Sequence, residues 1–143
     1  MLTDGAGGPL AAIVAPANRH DSQLLQQTIE AVVVPRPTPE EVEENLCLDK
    51  AYDNPSGEAA AVNGGYTPHI RRIGEEAKPS EEHPGAKPRR WVVERTIAWL
   101  NKCRAILVRY NKRAQNYLGL IQLACSLIWY RRKCQLLHEP VLG

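Results

Sequence analysis

The sequence predicts an α/β fold in one domain. Short apolar runs of strand length alternate with capped helical stretches in the first half of the chain. From Arg89 the apolar spacing turns helical and stays so towards the C-terminus. A length of 143 residues suits one domain with a modest core and is too short for two substantial ones. An apolar share of 43% fits a folded chain, while eleven prolines and ten glycines call for much loop.

Taken in order, Met1-Leu2-Thr3 reads as the end of a strand, and Asp4-Gly5-Ala6-Gly7-Gly8 supplies the positive φ angles of a hairpin turn. Pro9 to Ala15 is the apolar return strand. So short a first strand leads us to expect a chain that starts inside its domain. Asn18 to Ser22 offers N-caps for a helix bearing Leu24, Leu25, Ile29, Val32 and Val33, which Pro35, Pro37 and Pro39 stop. Asn45-Leu46-Cys47-Leu48 is a strand ending on the carboxylate of Asp49. Asn54-Pro55-Ser56 caps a short helix to about Val62, and Tyr66 to Ile70 is a further strand. Gly74 to Pro88, rich in Glu, Pro and Lys, reads as a mobile loop.

Beyond it, one long helix is expected to place Val93, Ile97, Leu100 and Leu107 on a single face. A second helix, about Gln115 to Lys133, carries Leu118, Ile121, Cys125 and Ile128 as its apolar stripe. Its Arg131-Arg132-Lys133 end suits the negative pole of the helix dipole. Residues 1–133 thus form the domain and 134–143 a tail. There is no internal repeat.

Charge is strongly segregated. From Lys87 to the end there are twelve Lys and Arg against Glu94 and Glu139, so 12 − 2 gives +10. Residues 1–86 hold the remaining six bases and fourteen acids, or −8. A basic final third points to a polyanionic partner, of which nucleic acid is the commonest. The four cysteines, Cys47, Cys103, Cys125 and Cys134, form no CxxC and no His/Cys cluster, and read as buried free thiols of a reducing cytoplasm. The apolar stretch from Leu118 to Tyr130 is too short to span a bilayer, so we expect a soluble cytoplasmic protein with no membrane partner.

Two carboxylates stand out. Asp49 follows an apolar strand, at a sheet edge facing solvent or a metal. Glu94 is the only acid between Lys87 and His138, on the rim of the apolar face of a helix rich in bases. On one long helix Arg95, Lys102 and Arg109 fall in a stripe at seven-residue spacing beside it. Two readings fit Glu94: a surface ion pair with Arg90, Arg95 or Arg104, or a ligand of Mg²⁺ in phosphoryl transfer with the bases on DNA phosphates.

Larger blocks carry a resemblance. Leu48-Asp49-Lys50-Ala51-Tyr52-Asp53 resembles the DKGYD segment of insertion-sequence DDE transposases. Arg90 to Asn101, RWVVERTIAWLN, resembles the RWVVERTFAWLNR segment that carries their catalytic glutamate. Arg109-Tyr110-Asn111-Lys112-Arg113 and the Leu-rich helix after it are similar to the same family's C-terminal end. Upstream, Leu2 to Ala11 and Ala17 to Ser22 are similar to its LLTDGxGxPLA and ANRHDS stretches. The resemblance runs in order from residue 2 to about 132.

It implies an RNase H-like fold, here incomplete, of the kind shared with retroviral integrases, ending in two helices. Asp49 then corresponds to the second acid of the triad and Glu94 to the third, both holding Mg²⁺ or Mn²⁺. Arg90, Arg95, Lys102, Arg109, Lys112 and Arg113 become the expected DNA contacts. The family's first aspartate lies on a strand before the hairpin, outside residues 1–143, so we expect the isolated chain to be inactive. Asp4, at a hairpin tip, is a poor substitute. A rival reading is a non-enzymatic DNA-binding or assembly protein that associates with full-length transposase or with itself. His20, Asp21 and Asp53 are expected to cap helices, and Trp91 and Trp99 to pack in the core beside Glu94.

Overall fold

A computed structural model describes residues 1–38, 41–70 and 90–138. The expected mobile loop at 74–88 lies outside the described residues. The architecture is mixed α and β, with two small two-stranded sheets.

Strand β1 (Leu2–Thr3) pairs antiparallel with β2 (Pro9–Ala11) around the expected glycine-rich turn. β2 ends at Ala11, four residues earlier than the apolar run suggested; Ala12 and Val14 pack into a core instead of extending the ladder. Inside the turn the Asp4 carboxylate accepts hydrogen bonds from Ala6 N (2.9 Å) and Gly8 N (2.6 Å). Gly7 has φ +85°, which only glycine adopts without strain, and a Cβ there would press on Arg95 and Thr96 at 3.0 Å.

Next come a 3-10 turn (Asp21–Leu24) and helix α1 (Leu25–Glu30). His20 caps the 3-10 turn, its ring accepting from Ser22 N, as expected of this segment. α1 stops at Glu30, short of the expected Val33, which is exposed. The β-branched run Val32-Val33-Val34 is a poor helix former, and Pro35 excludes the helical conformation from the residue before it.

Strand β3 (Asn45–Leu48) pairs in parallel with β4 (Thr67–Ile70), in the register Asn45↔Thr67 to Leu48↔Ile70. Between them lie a short 3-10 turn (Lys50–Tyr52) and helix α2 (Pro55–Asn63). Asn54, not Asp53, caps α2: its side chain accepts from Gly57 N at 2.9 Å, with Pro55 at the first helical position. Leu25, Ile29, Leu46, Ala60, Ala61 and Tyr66 form the first core, with Leu2, Leu48 and Tyr52 against it.

The expected long helix is broken. Helix α3 (Arg90–Leu100) is followed by a turn at 101–103 and a single helical turn, α4 (Arg104–Leu107). The break has a packing reason. Leu100 and Ile106 share the second core with Ile121 and Ala124, yet six residues on a continuous helix would set them about 120° apart. The turn between them lets both be buried. The buried row of α3 is Val92, Thr96 and Leu100, so Ile97 and Leu107 of the expected face are exposed.

Helix α5 (Ala114–His138) buries Ile121 and packs Cys125 and Ile128 on the second core, as the stripe predicted. It runs through His138 and so takes in residues assigned to a tail. The cysteines correct another expectation: all four are free, but Cys47 and Cys103 are exposed and the other two half-buried. No helix among the described residues is long and apolar enough to cross a membrane.

Candidate active site

Asp49 stands where β3 ends. Leu46 anchors the strand in the first core, which brings the next residues to the carboxyl end of a parallel pair. The backbone of Asp49 remains extended (φ −76°, ψ 163°), and its Oδ1 accepts from Lys50 N at 2.7 Å, capping the 3-10 turn. A carboxylate at the carboxyl end of a strand in a parallel sheet is where such folds bind ligands.

A cleft of about 300 Å³ opens against the turn that Asp49 caps, lined in part by Ile13, Arg19, Asp21, Thr28 and Tyr52. A shallower depression adjoining it is lined by Asn18 to Asp21 and by Ala51. Two segments about thirty residues apart in sequence therefore meet here: Asn18 to Asp21, and the turn after Asp49. Burial, and then the negative charges of Asp21 and Asp49, push the Tyr52 phenol above its ordinary value. Both carboxylates thus act on one ring. The sequence offers Arg19 among the N-cap candidates and Asp21 as a cap, but the cap is His20, and Arg19 and Asp21 line the cleft. Their signal was present nonetheless, since they belong to a block of family resemblance.

Glu94 lies on α3 and is exposed, on the side opposite Thr96. α3 is held in place by the hairpin turn. Thr96, fully buried at 0% exposure, donates from Oγ1 to Gly7 O at 2.7 Å and to Val92 O at 3.1 Å. Arg95 donates to Ala6 O at 2.7 Å, and its guanidinium lies over Trp91 and Trp99, 4.6 and 5.0 Å from the ring centroids. These tryptophans do not enter the core: Trp91 is 51% and Trp99 36% exposed, stacked on the arginine at four-residue intervals. α5 grips the same turn. Trp129 Nε1 donates to Pro9 O at 2.8 Å, and Arg132 donates to Ala6 O and pairs with Asp4 at 3.6 Å. With two amides on one oxygen and Arg132 beside the other, Asp4 has a structural task.

The basic residues are dispersed. Because α3 ends at Leu100, Arg95, Lys102 and Arg109 do not form one helical stripe. Arg95 is half-buried in the contacts above. Arg109 donates to Asn111 O at 3.0 Å and lies 5.3 Å from the Tyr117 centroid, bracing the α4–α5 connection. Lys102, Lys112 and Arg113 are exposed, and Arg90 opens α3. Among the described residues, no three His, Cys, Asp or Glu side chains gather as a metal cage.

The class of protein is shown by comparison with known proteins. The family model for the transposase DDE domain matches residues 46–131, which include both Asp49 and Glu94, and the chain belongs to that family. More particularly, it is 35% identical over 132 residues to a protein assigned as a transposase for insertion sequence element IS402 of Burkholderia cepacia. That match takes in 90% of this chain and 60% of the relative. No solved structure matches the chain.

Proposed function

We propose that this chain supplies the second and third acids, Asp49 and Glu94, of an RNase H-like site that cuts DNA at element ends and transfers the strand to target DNA. The observation that carries the reading is the position of Asp49 at the carboxyl end of β3, where it caps the turn whose Tyr52 lines a cleft with Arg19 and Asp21. Glu94 belongs to the same family-matched segment.

The donor set fits a hard divalent cation. Asp49 and Glu94 offer carboxylate oxygens, the ligands that Mg²⁺ and Mn²⁺ prefer. Such an ion, when bound, polarises a phosphoryl oxygen and generates the nucleophile at neutral pH. In this reading Asp49 and Glu94 hold that charge in place, and Asp49 is kept in its conformation by the Lys50 amide. Lys102, Lys112 and Arg113 hold the DNA backbone, and Arg90 lies one turn before Glu94. Two carboxylates balance two of the four positive charges of a metal pair, so the complete site needs a further acid.

The test is nicking of element-end DNA in Mg²⁺ by a transposase that carries this domain together with the family's first acid. Asp49→Asn or Glu94→Gln is expected to reduce the rate at least about a hundredfold, since even a misplacement of about 1 Å costs that much. Mn²⁺ binding by the 143-residue chain, followed by paramagnetic resonance, should weaken in each variant. Undiminished nicking by either variant removes that residue from the site.

A further inference from the structure

We propose that the three tryptophans form a stacking platform for unpaired nucleobases of DNA, carried on α3 and α5 around the hairpin turn. Trp91 and Trp99 flank Arg95, whose guanidinium lies 4.6 and 5.0 Å from their ring centroids. On α5 the guanidinium of Arg132 lies 5.5 Å from the centroid of Trp129. Both arginines donate to one oxygen, that of Ala6, so two cation–aromatic stacks meet at one point of the turn. Every tryptophan of the chain belongs to this cluster.

Fastening the helices to the turn accounts for the arginines and for the Trp129 indole N–H, but not for the open rings. Trp91 is 51%, Trp99 36% and Trp129 41% exposed, and none of the three belongs to either core. Tryptophan is the ring that gains most from being covered, and a group of them left in solvent marks a binding surface.

The chemistry around the rings selects the occupant. Two guanidiniums share one carbonyl, and among the described residues their ion pair is with Asp4 alone, so the cluster keeps a positive charge. It belongs to the segment after Lys87 with its net charge of +10. The fitting ligand joins flat π faces to negative charge. Single-stranded DNA has both, since every base has a π face and every step a phosphate. A duplex keeps its bases stacked on one another and presents their edges. An apolar peptide brings no anion, and a second copy of this chain would bring the same cations.

Trp91 lies three residues before Glu94, so the two are neighbours on the surface of α3. A base stacked on Trp91 holds its own phosphates near the glutamate. That consequence rests on the role given to Glu94 above, whereas the stacking itself does not.

The test is fluorescence anisotropy of the 143-residue chain with labelled oligo-dT of about twelve nucleotides, and with an abasic strand of the same length. The two strands carry the same phosphates, so ionic binding alone would make them equal. Stacking should make oligo-dT bind at least about tenfold tighter and quench tryptophan emission. Trp91→Ala with Trp99→Ala should remove most of that preference. The slope of log K against log salt should stay as in the parent, because a stacked base releases no counterions. Circular dichroism checks the fold of the variant. One that unfolds is replaced by Trp91→Leu with Trp99→Leu, and the comparison of the two strands needs no variant. Equal affinity for both strands, or a preference that survives the double substitution, overturns the platform and leaves DNA binding in place. A flattened salt slope in the variant assigns the effect to Arg95 and likewise overturns stacking. Binding of neither strand overturns the platform together with the reading of this chain as one that handles DNA.

Discussion

Replacing Thr96 by valine tests whether the hairpin turn and the glutamate helix are one unit. The two side chains are nearly isosteric, so the change removes one hydroxyl from a fully buried position and little else. That hydroxyl donates to Gly7 O at 2.7 Å and Val92 O at 3.1 Å. The Val92 carbonyl accepts within the helix in any case, and the longer contact adds little. The Gly7 carbonyl lies in a buried residue, and among the described residues no other hydrogen bond reaches it. Leaving a buried acceptor unmatched costs about 1–3 kcal/mol. At about 2 kcal/mol, a domain of this size should melt roughly 4–8 °C lower. Thr96→Ser is the control, since it keeps the hydroxyl and removes one buried methyl, about 1 kcal/mol. Urea unfolding followed by circular dichroism ranks the two. If Thr96→Val is as stable as the parent, or more stable than Thr96→Ser, the hydrogen bond to Gly7 does not hold α3.

Two further outcomes are expected. The Tyr52 phenol should ionise above its ordinary 10.0 in a tyrosinate absorbance titration, because burial and then Asp21 and Asp49 disfavour its anion. Its contribution to stability is complete below 10.0 and is lost as pH rises through the shifted value; Asp49→Asn should move the titration downward while burial keeps it above ordinary. For DNA, Lys102→Ala, Lys112→Ala and Arg113→Ala together should flatten the slope of log K against log salt by up to about 2.7. Arg95→Ala should instead lower stability, and an unchanged slope in the triple variant would remove those three residues from the DNA surface.

Local signals were legible in the sequence where one residue dictates one conformation. Gly7 and Asn54 placed a turn and a cap, and the structure has both, whereas α1 ends at Glu30, ahead of the prolines that were expected to stop it. The α5 stripe was legible because its period is sustained for several turns. The break after Leu100 was not, because nothing at Asn101-Lys102-Cys103 forbids a helix. It follows from burying Leu100 and Ile106 together, a tertiary demand. With that break the basic stripe at seven-residue spacing disappears. The tryptophans were misread for a related reason: size suggested burial, but Arg95 between them gives both rings a partner at the surface. At the site, Asp49 was legible as a strand-end acid, whereas the meeting of Arg19 and Asp21 with Tyr52 depends on how two distant segments pack.

The elements that carry the two acids, β3 and α3, rest on different cores, and the hairpin packs on both. Leu2 of β1 packs on the core that positions Asp49, while Ala12 and Val14 after β2 pack on the core under α3 and α5. Arg95, Thr96, Trp129 and Arg132 then fasten those helices to the carbonyls of Ala6, Gly7 and Pro9. The relative placement of Glu94 and Asp49 therefore depends on a turn whose shape Asp4 sets. This separates a structural from a ligand role for Asp4. Asparagine still offers an oxygen to the Ala6 and Gly8 amides and favours such turns, whereas alanine leaves both without that acceptor. Asp4→Ala should cost about 1–3 kcal/mol of stability, and Asp4→Asn much less, with Mn²⁺ affinity close to the parent. Should Asp4→Asn fold normally yet lose Mn²⁺ as fully as Glu94→Gln, Asp4 is a metal ligand and its bonds within the turn are not its main task.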